Sequence, residues 1–290
     1  MTLTRAVIAA AGLGTRLLPA TKEQPKEMLP IFATTNGRLC LKPIVQLVFE
    51  QLYDAGYREF CFVIGRGKRA IEDHFSQDYT FLSDLERHRK ETFAEDLRSF
   101  YRRLDDSTIF WITQPKPLGF GDAVKRAGSA MANDEFLVHA GDTYILSRNN
   151  EHLKRLYSVF AKFNAKAALL LKRMPDPQSR GVVDAQRIGE AYLVKRAVEK
   201  PTKHFSDMAI EPVYMFKPCI FDALNRIGPG AEGEIQLTDA IQLLASEGSG
   251  VYATELDVDD VRLDVGNPES YWEALQLSGS HMMHGDCVSV

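Results

Sequence analysis

Two cations, Arg16 and Lys26, stand on either side of a prolyl stretch that follows a glycine turn, Gly12-Leu13-Gly14. The turn itself follows a short apolar run, Ala6-Val7-Ile8-Ala9-Ala10, of a length that suits a buried strand. Glycine after a strand lets main-chain N–H groups approach a ligand that a side chain would block. Successive N–H groups in such a turn form an anion-binding concavity. With two mobile positive charges beside it, this concavity suits a polyphosphate, so that a nucleotide would be gripped and attacked there. The main chain of Ala10, Ala11, Gly12, Gly14 and Thr15 would line the nucleotide. A carboxylate, Asp142, ends the stretch Phe136-Leu137-Val138-His139-Ala140-Gly141. After a glycine at the end of a buried strand it is well placed for Mg2+, which takes one or two carboxylates plus substrate phosphates. Gln114 closes another apolar run, Thr108–Thr113, and carries both a donor and an acceptor for the amide-like edge of a pyrimidine. Gly119 and Gly121 follow at a helix start and leave room for a flat base or ribose.

Two better-known phosphate loops do not fit. A P-loop ends in Gly-Lys-Ser/Thr where this chain has Gly14-Thr15-Arg16, and a dinucleotide fingerprint needs a third glycine where this chain has Leu17. The full string is more specific than its glycines. Ala10-Ala11-Gly12-Leu13-Gly14-Thr15-Arg16-Leu17-Leu18-Pro19, then Lys22-Glu23-Gln24-Pro25-Lys26-Glu27-Met28-Leu29-Pro30, resembles the signature of the sugar-1-phosphate nucleotidyltransferases. The Lys-Glu-Met-Leu-Pro form is similar to the bacterial and archaeal UTP–glucose-1-phosphate uridylyltransferases. Four later strings keep the family's order: Gln114 to Val124, Arg180-Gly181-Val182-Val183-Asp184 with Val198-Glu199-Lys200-Pro201, Gly233 to Ile241, and Asp264-Val265-Gly266-Asn267. The resemblance spans residues 5–277.

What the resemblance implies is a reaction of UTP with α-glucose 1-phosphate to give UDP-glucose and pyrophosphate. In that scheme Arg16 holds the leaving pyrophosphate, Lys26 the α-phosphate and Lys200 the sugar phosphate. Asp142 and Asp264 hold one Mg2+, Glu27 and Gln114 read the uracil, and Gly181, Glu199 and Val213 face the sugar. Subunits of this family imply a homodimer or homotetramer. The chain departs from the family pattern at three places. Asp122 stands where a histidine is usual and has no transferable role, Arg180 replaces an aromatic residue, and Pro212-Val213 replaces Gly-Arg. The alternatives are therefore a thymidylyltransferase, a uridylyltransferase for another sugar, and a non-catalytic sugar-nucleotide-binding subunit.

The elements that must position these residues alternate between strand and helix. Apolar runs at Phe60–Ile64, Thr108–Thr113, Glu135–Val138 and Ala167–Leu171 read as buried strands, with helices over Lys42–Gly56, Arg69–Phe75, Asn150–Asn164, Ala240–Glu247 and Glu269–Leu277. That order predicts an α/β, Rossmann-like doubly wound mixed, mostly parallel sheet, with a β-rich sugar-binding part after it. Residues 31–42 read as a loop, and 76–107 as one long amphipathic helical insertion. Gly65-Arg66-Gly67-Lys68 reads as a surface turn near the mouth of the site, and His139 as a strand histidine without a special role. One domain is expected over 1–277, with a nucleotide-binding half over 1–145 and a sugar-binding half over 146–277. The tail 278–290 contains Gly279-Ser280-His281-Met282, which resembles a cloning remnant, and its His281 and His284 are too few for a metal site.

Composition bounds the partners. The chain has 290 residues, of which 45% are hydrophobic and 26% charged, with a net charge of −4. That balance does not suit coating nucleic acid or an anionic membrane, so a polyanionic substrate needs a local basic site and a divalent cation. There is no apolar run of membrane-spanning length and no signal peptide. The four cysteines, Cys40, Cys61, Cys219 and Cys287, show no CxxC spacing and read as free thiols of a cytoplasmic protein.

Overall fold

The computed structural model describes residues 4–131, 133–248 and 250–283. Strand β1 (Arg5–Ala10) leads into the glycine loop, and the hairpin β2 (Pro30–Thr35) and β3 (Arg38–Pro43) follows it. Then come α1 (Ile44–Asp54), β4 (Glu59–Gly65), α2 (Arg69–His74), α3 (Tyr79–Arg87), α4 (Glu91–Asp105) and β5 (Thr108–Gln114). Next are α5 (Phe120–Arg126), α6 (Gly128–Met131), β6 (Phe136–Ala140), β7 (Thr143–Leu146), α7 (Glu151–Lys162) and β8 (Ala167–Arg173). The second half adds β9 (Gly181–Ile188), β10 (Ala191–Glu199), β11 (Met208–Phe216), α8 (Cys219–Arg226), α9 (Leu237–Ser246), β12 (Val251–Glu255), β13 (Val261–Asp264) and α10 (Pro268–Met283).

Among the described residues one sheet of nine strands runs β5-β4-β1-β6-β11-β8-β12-β10-β9. The sheet is mixed, as expected. Strands β5, β4, β1 and β6 are parallel, while β11 enters antiparallel between β6 and β8. Alternate residues of β1 feed opposite cores. Ala6, Ile8 and Ala10 join α1, α4 and α7 on one face, and Val7 and Ala9 join α5, α8 and α9 on the other. This is the period-two alternation of a strand covered on both sides. Two glycine loops thereby emerge at the carboxyl ends of β1 and β6, where open α/β sheets bind ligands.

Several local expectations are corrected. Residues 31–42 are not a loop but the β2–β3 hairpin, turned by Asn36 and Gly37, both at positive φ (52° and 72°). An Asn-Gly pair is the connection that matches strand twist in a two-residue hairpin. Helix α1 accordingly begins at Ile44, with Pro43 as its cap. The expected long helix over 76–107 is two, α3 and α4, broken at His88–Lys90 where Arg89 has a φ of 55°. Helix α9 begins at Leu237 behind Gln236, three residues ahead of the expected start at Ala240. Helix α10 runs on to Met283, so residues 278–283 are part of the body. Ser278 is fully buried and its Oγ accepts from the Phe32 amide at 3.3 Å. The remaining tail residues, His284 and Cys287 among them, lie outside the described residues. Cys40, Cys61 and Cys219 are free thiols, and burial pushes the Cys61 thiol up to about 12. Among the described residues no helix is long and apolar enough to cross a membrane.

His139 of β6 and His152 of α7 are both fully buried. His139 Nδ1 donates to Ala140 O at 2.8 Å, and among the described residues neither ring nitrogen of His152 meets a hydrogen-bond partner. Burial holds both rings neutral, with pKa values of about 4 for His139 and about 3 for His152. These lie below the ordinary value of about 6.5, so the unfolded chain takes up protons first as pH falls. The stability they allow is complete above about pH 6.5 and is lost as pH falls toward 4 and 3. At pH 5 each ring lowers the unfolding free energy by about 2 kcal/mol relative to pH 7. His152→Leu should flatten the fall in urea midpoint between pH 7 and pH 5, and an unchanged slope would show that His152 is not the group responsible.

Candidate active site

The glycine loop keeps the expected shape. Gly14 has a φ of 67° and its carbonyl accepts from Thr21 Oγ1 at 2.8 Å. A single turn, Thr15–Leu17, follows it. This left-handed-then-helical sequence aims neighbouring amides to one side. Ala10 and Ala11 are buried, while Gly12, Thr15 and Arg16 are exposed along an open mouth. Gly65, at the end of the neighbouring strand, is required there: a Cβ would lie 2.7 Å from Ala11 O.

Across the mouth, Lys26 Nζ donates to Asp142 Oδ2. Burial alone would lower the Lys26 pKa, but Asp142 and Glu27 outweigh it and raise the pKa above its ordinary value. Burial opposes ionisation of Asp142, yet Lys26 wins and holds its carboxyl below the ordinary range. Asp142 and Asp264 are brought together by main-chain pairing. Strand β13 runs antiparallel to β7 with Asp264 opposite Thr143, and the Val265 amide donates to Asp142 O at 2.9 Å. Asp264 Oδ1 accepts from Thr143 Oγ1 at 3.2 Å and from Arg262 Nη2 at 2.8 Å.

Asp142, Asp264 and Arg16 line one cavity of about 440 Å³. Its far wall carries Arg180, Gly181, Glu199, Pro212, Tyr214 and Thr238. Gly181 is fixed by this wall, since a Cβ there would meet Thr238 Oγ1 at 2.8 Å and Glu199 Oε2 at 3.0 Å. Thr238 Oγ1 donates to Glu199 Oε2 at 2.6 Å, and burial pushes the Glu199 carboxyl above the ordinary range. Gly181 and Glu199 thus stand together on the far wall of the cavity. Among the described residues no three metal-ligating side chains cluster. Two carboxylates on one wall, one still offering Oδ2, nevertheless suit Mg2+, which keeps several waters and takes substrate phosphates.

Other expected site residues sit elsewhere. Val213 does not face the cavity: it is fully buried in the core behind the sheet. Ile210, Pro212 and Tyr214 line the cavity in ordinary period-two alternation along β11, so Val213 points to the opposite face of the sheet. Glu27 is buried to 1% exposure, and its Oε2 accepts from Lys68 Nζ at 2.6 Å, so it does not present a free edge to a base. Lys68, expected on a surface turn, is 6% exposed and anchors the Lys26–Met28 turn from below. Gly119 and Gly121 are required by a distant segment of backbone. Their Cβ positions meet Glu234 Cβ at 2.7 Å and Ile235 O at 2.6 Å, because the 234–237 segment docks there and goes on to line the cavity. Gln114 lies at the carboxyl end of β5 but not on the cavity wall, with Nε2 donating to Gly119 O at 3.1 Å and Asp122 Oδ2 at 2.8 Å. Asp122, which also accepts from Arg126 Nε at 2.8 Å, therefore orients Gln114. Lys200 Nζ turns to Glu232 at the rim and does not line the cavity.

Two cations on the wall, Arg180 and Arg262, have no counterpart in the expected site set, and both close on a carboxylate behind it, Glu211. Glu211 is fully buried, with Arg180 Nη1 at 2.9 Å on Oε1 and Arg262 Nε at 2.7 Å on Oε2. A carboxylate inside the apolar run Met208-Ala209-Ile210-Glu211-Pro212-Val213 must be paired if that run is a buried strand, and this is the signal that could have found it.

The nucleotidyl transferase family model matches residues 5–280. A UTP–glucose-1-phosphate uridylyltransferase of Bacillus subtilis is 38% identical over 268 residues, which is 90% of this chain and 86% of that protein. Its namesake from Streptococcus pneumoniae is 36% identical over 271 residues, 91% of this chain and 86% of that protein. A UTP-bound UGPase from Acinetobacter baumannii superposes with a TM-score of 0.82 at 27% identity, covering 96% of this chain and 94% of that one. A UDP-glucose pyrophosphorylase complexed with UDP-glucose also gives 0.82, at 28% identity over 96% of this chain and 99% of that one. A glycine loop, a lysine–carboxylate pair and a second carboxylate on one cavity, together with a family match along nearly the whole length, make this chain a member of the nucleotidyl transferase family.

Proposed function

We propose that the protein is a cytoplasmic enzyme that converts UTP and α-glucose 1-phosphate to UDP-glucose and pyrophosphate. The observation that carries this reading is the convergence of Arg16, Asp142 and Asp264 on one cavity beyond the carboxyl ends of β1 and β6, with Lys26 bonded to Asp142 beside it. The relatives' names and the UTP and UDP-glucose seen in the solved neighbours support the choice of substrates.

A phosphate oxygen of the sugar attacks the α-phosphorus of UTP in line, and pyrophosphate leaves. Both partners are anions, so the work of the protein is positioning and charge neutralisation. Asp142 and Asp264 would hold a divalent cation, proposed to be Mg2+, which when bound offsets the charge of the phosphates. Lys26, kept protonated by its carboxylate neighbours, donates to the α-phosphate. Arg16, exposed at the mouth, takes the leaving pyrophosphate. Both amide hydrogens of Gln114 are spent on Gly119 and Asp122, so only its oxygen remains to accept from a base N–H such as that of uracil. Glu199, steadied by Thr238, accepts from sugar hydroxyls.

The test is pyrophosphate release by the purified protein with Mg2+, over a grid of nucleoside triphosphates and sugar 1-phosphates. Release confined to UTP with glucose 1-phosphate is the expected result. Release with dTTP or with other sugars at equal kcat/KM would overturn the substrate assignment. Silence across the grid would overturn the catalytic reading.

A further inference from the structure

The sugar-side wall carries a cation whose donors are only partly used. Arg180 precedes Gly181 at the head of β9, and its guanidinium lines the cavity. One nitrogen, Nη1, is held at 2.9 Å by Glu211 Oε1. The other guanidinium donors meet no acceptor among the described residues. The neighbouring Arg262, by contrast, is paired on two sides, with its Nε 2.7 Å from Glu211 Oε2 and its Nη2 donating to Asp264 Oδ1. Glu211 is fully buried behind both, so the Arg180 side chain is held from below while its free edge faces the cavity. The Lys200 amine is turned to Glu232 at the rim. A guanidinium with one edge fixed and one edge free is pre-organised for a two-oxygen anion, such as a phosphate or a carboxylate.

We propose that Arg180 binds the phosphate of the sugar 1-phosphate, and that Glu211 is the positioning residue that aims it. The inference rests on the uridylyltransferase reading and deepens it. Phosphate is favoured over a carboxylate on the sugar ring because of where Arg180 stands. Glu211 links it directly to Arg262, and Arg262 donates to Asp264, one of the two carboxylates proposed for the divalent cation. A phosphate oxygen drawn to that cation therefore lies on the same side of the cavity as the free edge of Arg180. The attacking phosphate would be held between two positive centres, which offsets its repulsion from the UTP phosphates.

The experiment is steady-state kinetics of the full chain and of Arg180→Gln, Arg180→Lys, Glu211→Gln and the double variant Arg180→Gln/Glu211→Gln. The double variant removes the buried charge together with its partner, so a loss caused by an unpaired Glu211 is separated from loss of the guanidinium. Arg180→Gln and the double variant should both raise KM for glucose 1-phosphate about tenfold or more, as expected for a lost hydrogen bond to a charged group. KM for UTP should stay within about twofold, and Arg180→Lys should be intermediate. Glu211→Gln alone should raise the same KM less than Arg180→Gln does, as expected of a residue acting through another. An unchanged KM for glucose 1-phosphate, or an equal rise in both KM values, would overturn the proposal. With glucuronate 1-phosphate as second substrate, a loss confined to that acidic sugar would assign Arg180 to a ring carboxylate and overturn it as well. Calorimetric titration of glucose 1-phosphate into wild type and Arg180→Gln keeps the two readings apart. If the wild type turns over no substrate pair, the catalytic reading fails, while weaker sugar-phosphate binding in the variant still supports Arg180.

Discussion

Lys26→Ala lowers kcat by about a hundredfold to a thousandfold, the scale seen when one pre-organised donor is removed from a developing anion, or roughly 3–4 kcal/mol of barrier. The size follows from its setting. The ammonium is 12% exposed and touches Asp142 Oδ2, so its charge acts with little screening by water. Carboxylates on both sides keep it protonated despite burial, so at neutral pH it is always available as a cation. The same carboxylates predict how the loss divides. Asp142 retains Arg262 as a nearby positive charge, so the fold should tolerate the change, and the urea midpoint should move little. Lys26→Arg keeps the charge but replaces a compact ammonium by a planar fork, and should recover only part of the rate. Single-turnover measurement with saturating UTP isolates the chemical step. A Lys26→Ala enzyme with near-normal kcat would remove the central residue of the proposed mechanism.

Lys68→Ala destabilises the fold by about 3–5 kcal/mol, the usual cost of stripping one partner from a buried ion pair. Glu27 is 1% exposed, and Lys68, 6% exposed, stands 2.6 Å from it. Burial pushes the Glu27 carboxyl above its ordinary range, and Lys68 followed by Lys26 pulls it back. Without Lys68 the carboxyl is easier to bury protonated. A folded-state pKa raised above the unfolded value gives stability that is complete below the ordinary carboxylate value and is lost as pH rises from there through the raised one. The variant should therefore look closest to wild type near pH 4 and worst above pH 6. Lys68→Met combined with Glu27→Leu removes both charges and should restore most of the stability, since apolar replacement of a buried pair is often neutral. Activity should not return with it, because Glu27 is one of the charges that hold Lys26. Urea denaturation of the three proteins at pH 4 and pH 7 measures both effects. A cost below about 1 kcal/mol for Lys68→Ala would show that the pair is wetter than its burial indicates.

What the sequence determined by itself was the set of elements and the chemistry that depends on main chain. Apolar runs bounded by glycine set the parallel strands, because a strand covered on both faces has no polar side to show. The glycine loop and Asp142 were legible for the same reason, because each follows a strand end and the carboxyl ends of such strands share one edge, while Arg16 and Lys26 were legible as the two cations of the long connection after β1. The Asn36-Gly37 hairpin carried a signal too, in two residues that tolerate positive φ. Tertiary structure alone decided where side chains spend their hydrogen bonds. Glu27 had the right neighbours for a base reader, but Lys68, forty-one positions away, closes it off. Gly119 and Gly121 proved to be docking space for a distant backbone, at Glu234 and Ile235, which no local spacing announces. Val213 missed the cavity because alternation along β11 gives that face to Ile210, Pro212 and Tyr214, and which face meets the cavity is settled only by the packing of the sheet. Arg180, Glu211 and Arg262 became one cluster only when β9, β11 and β13 met at the cavity. Pairwise charge satisfaction is a property of distance in space, so it is settled by the packing of strands remote in sequence and not by local pattern.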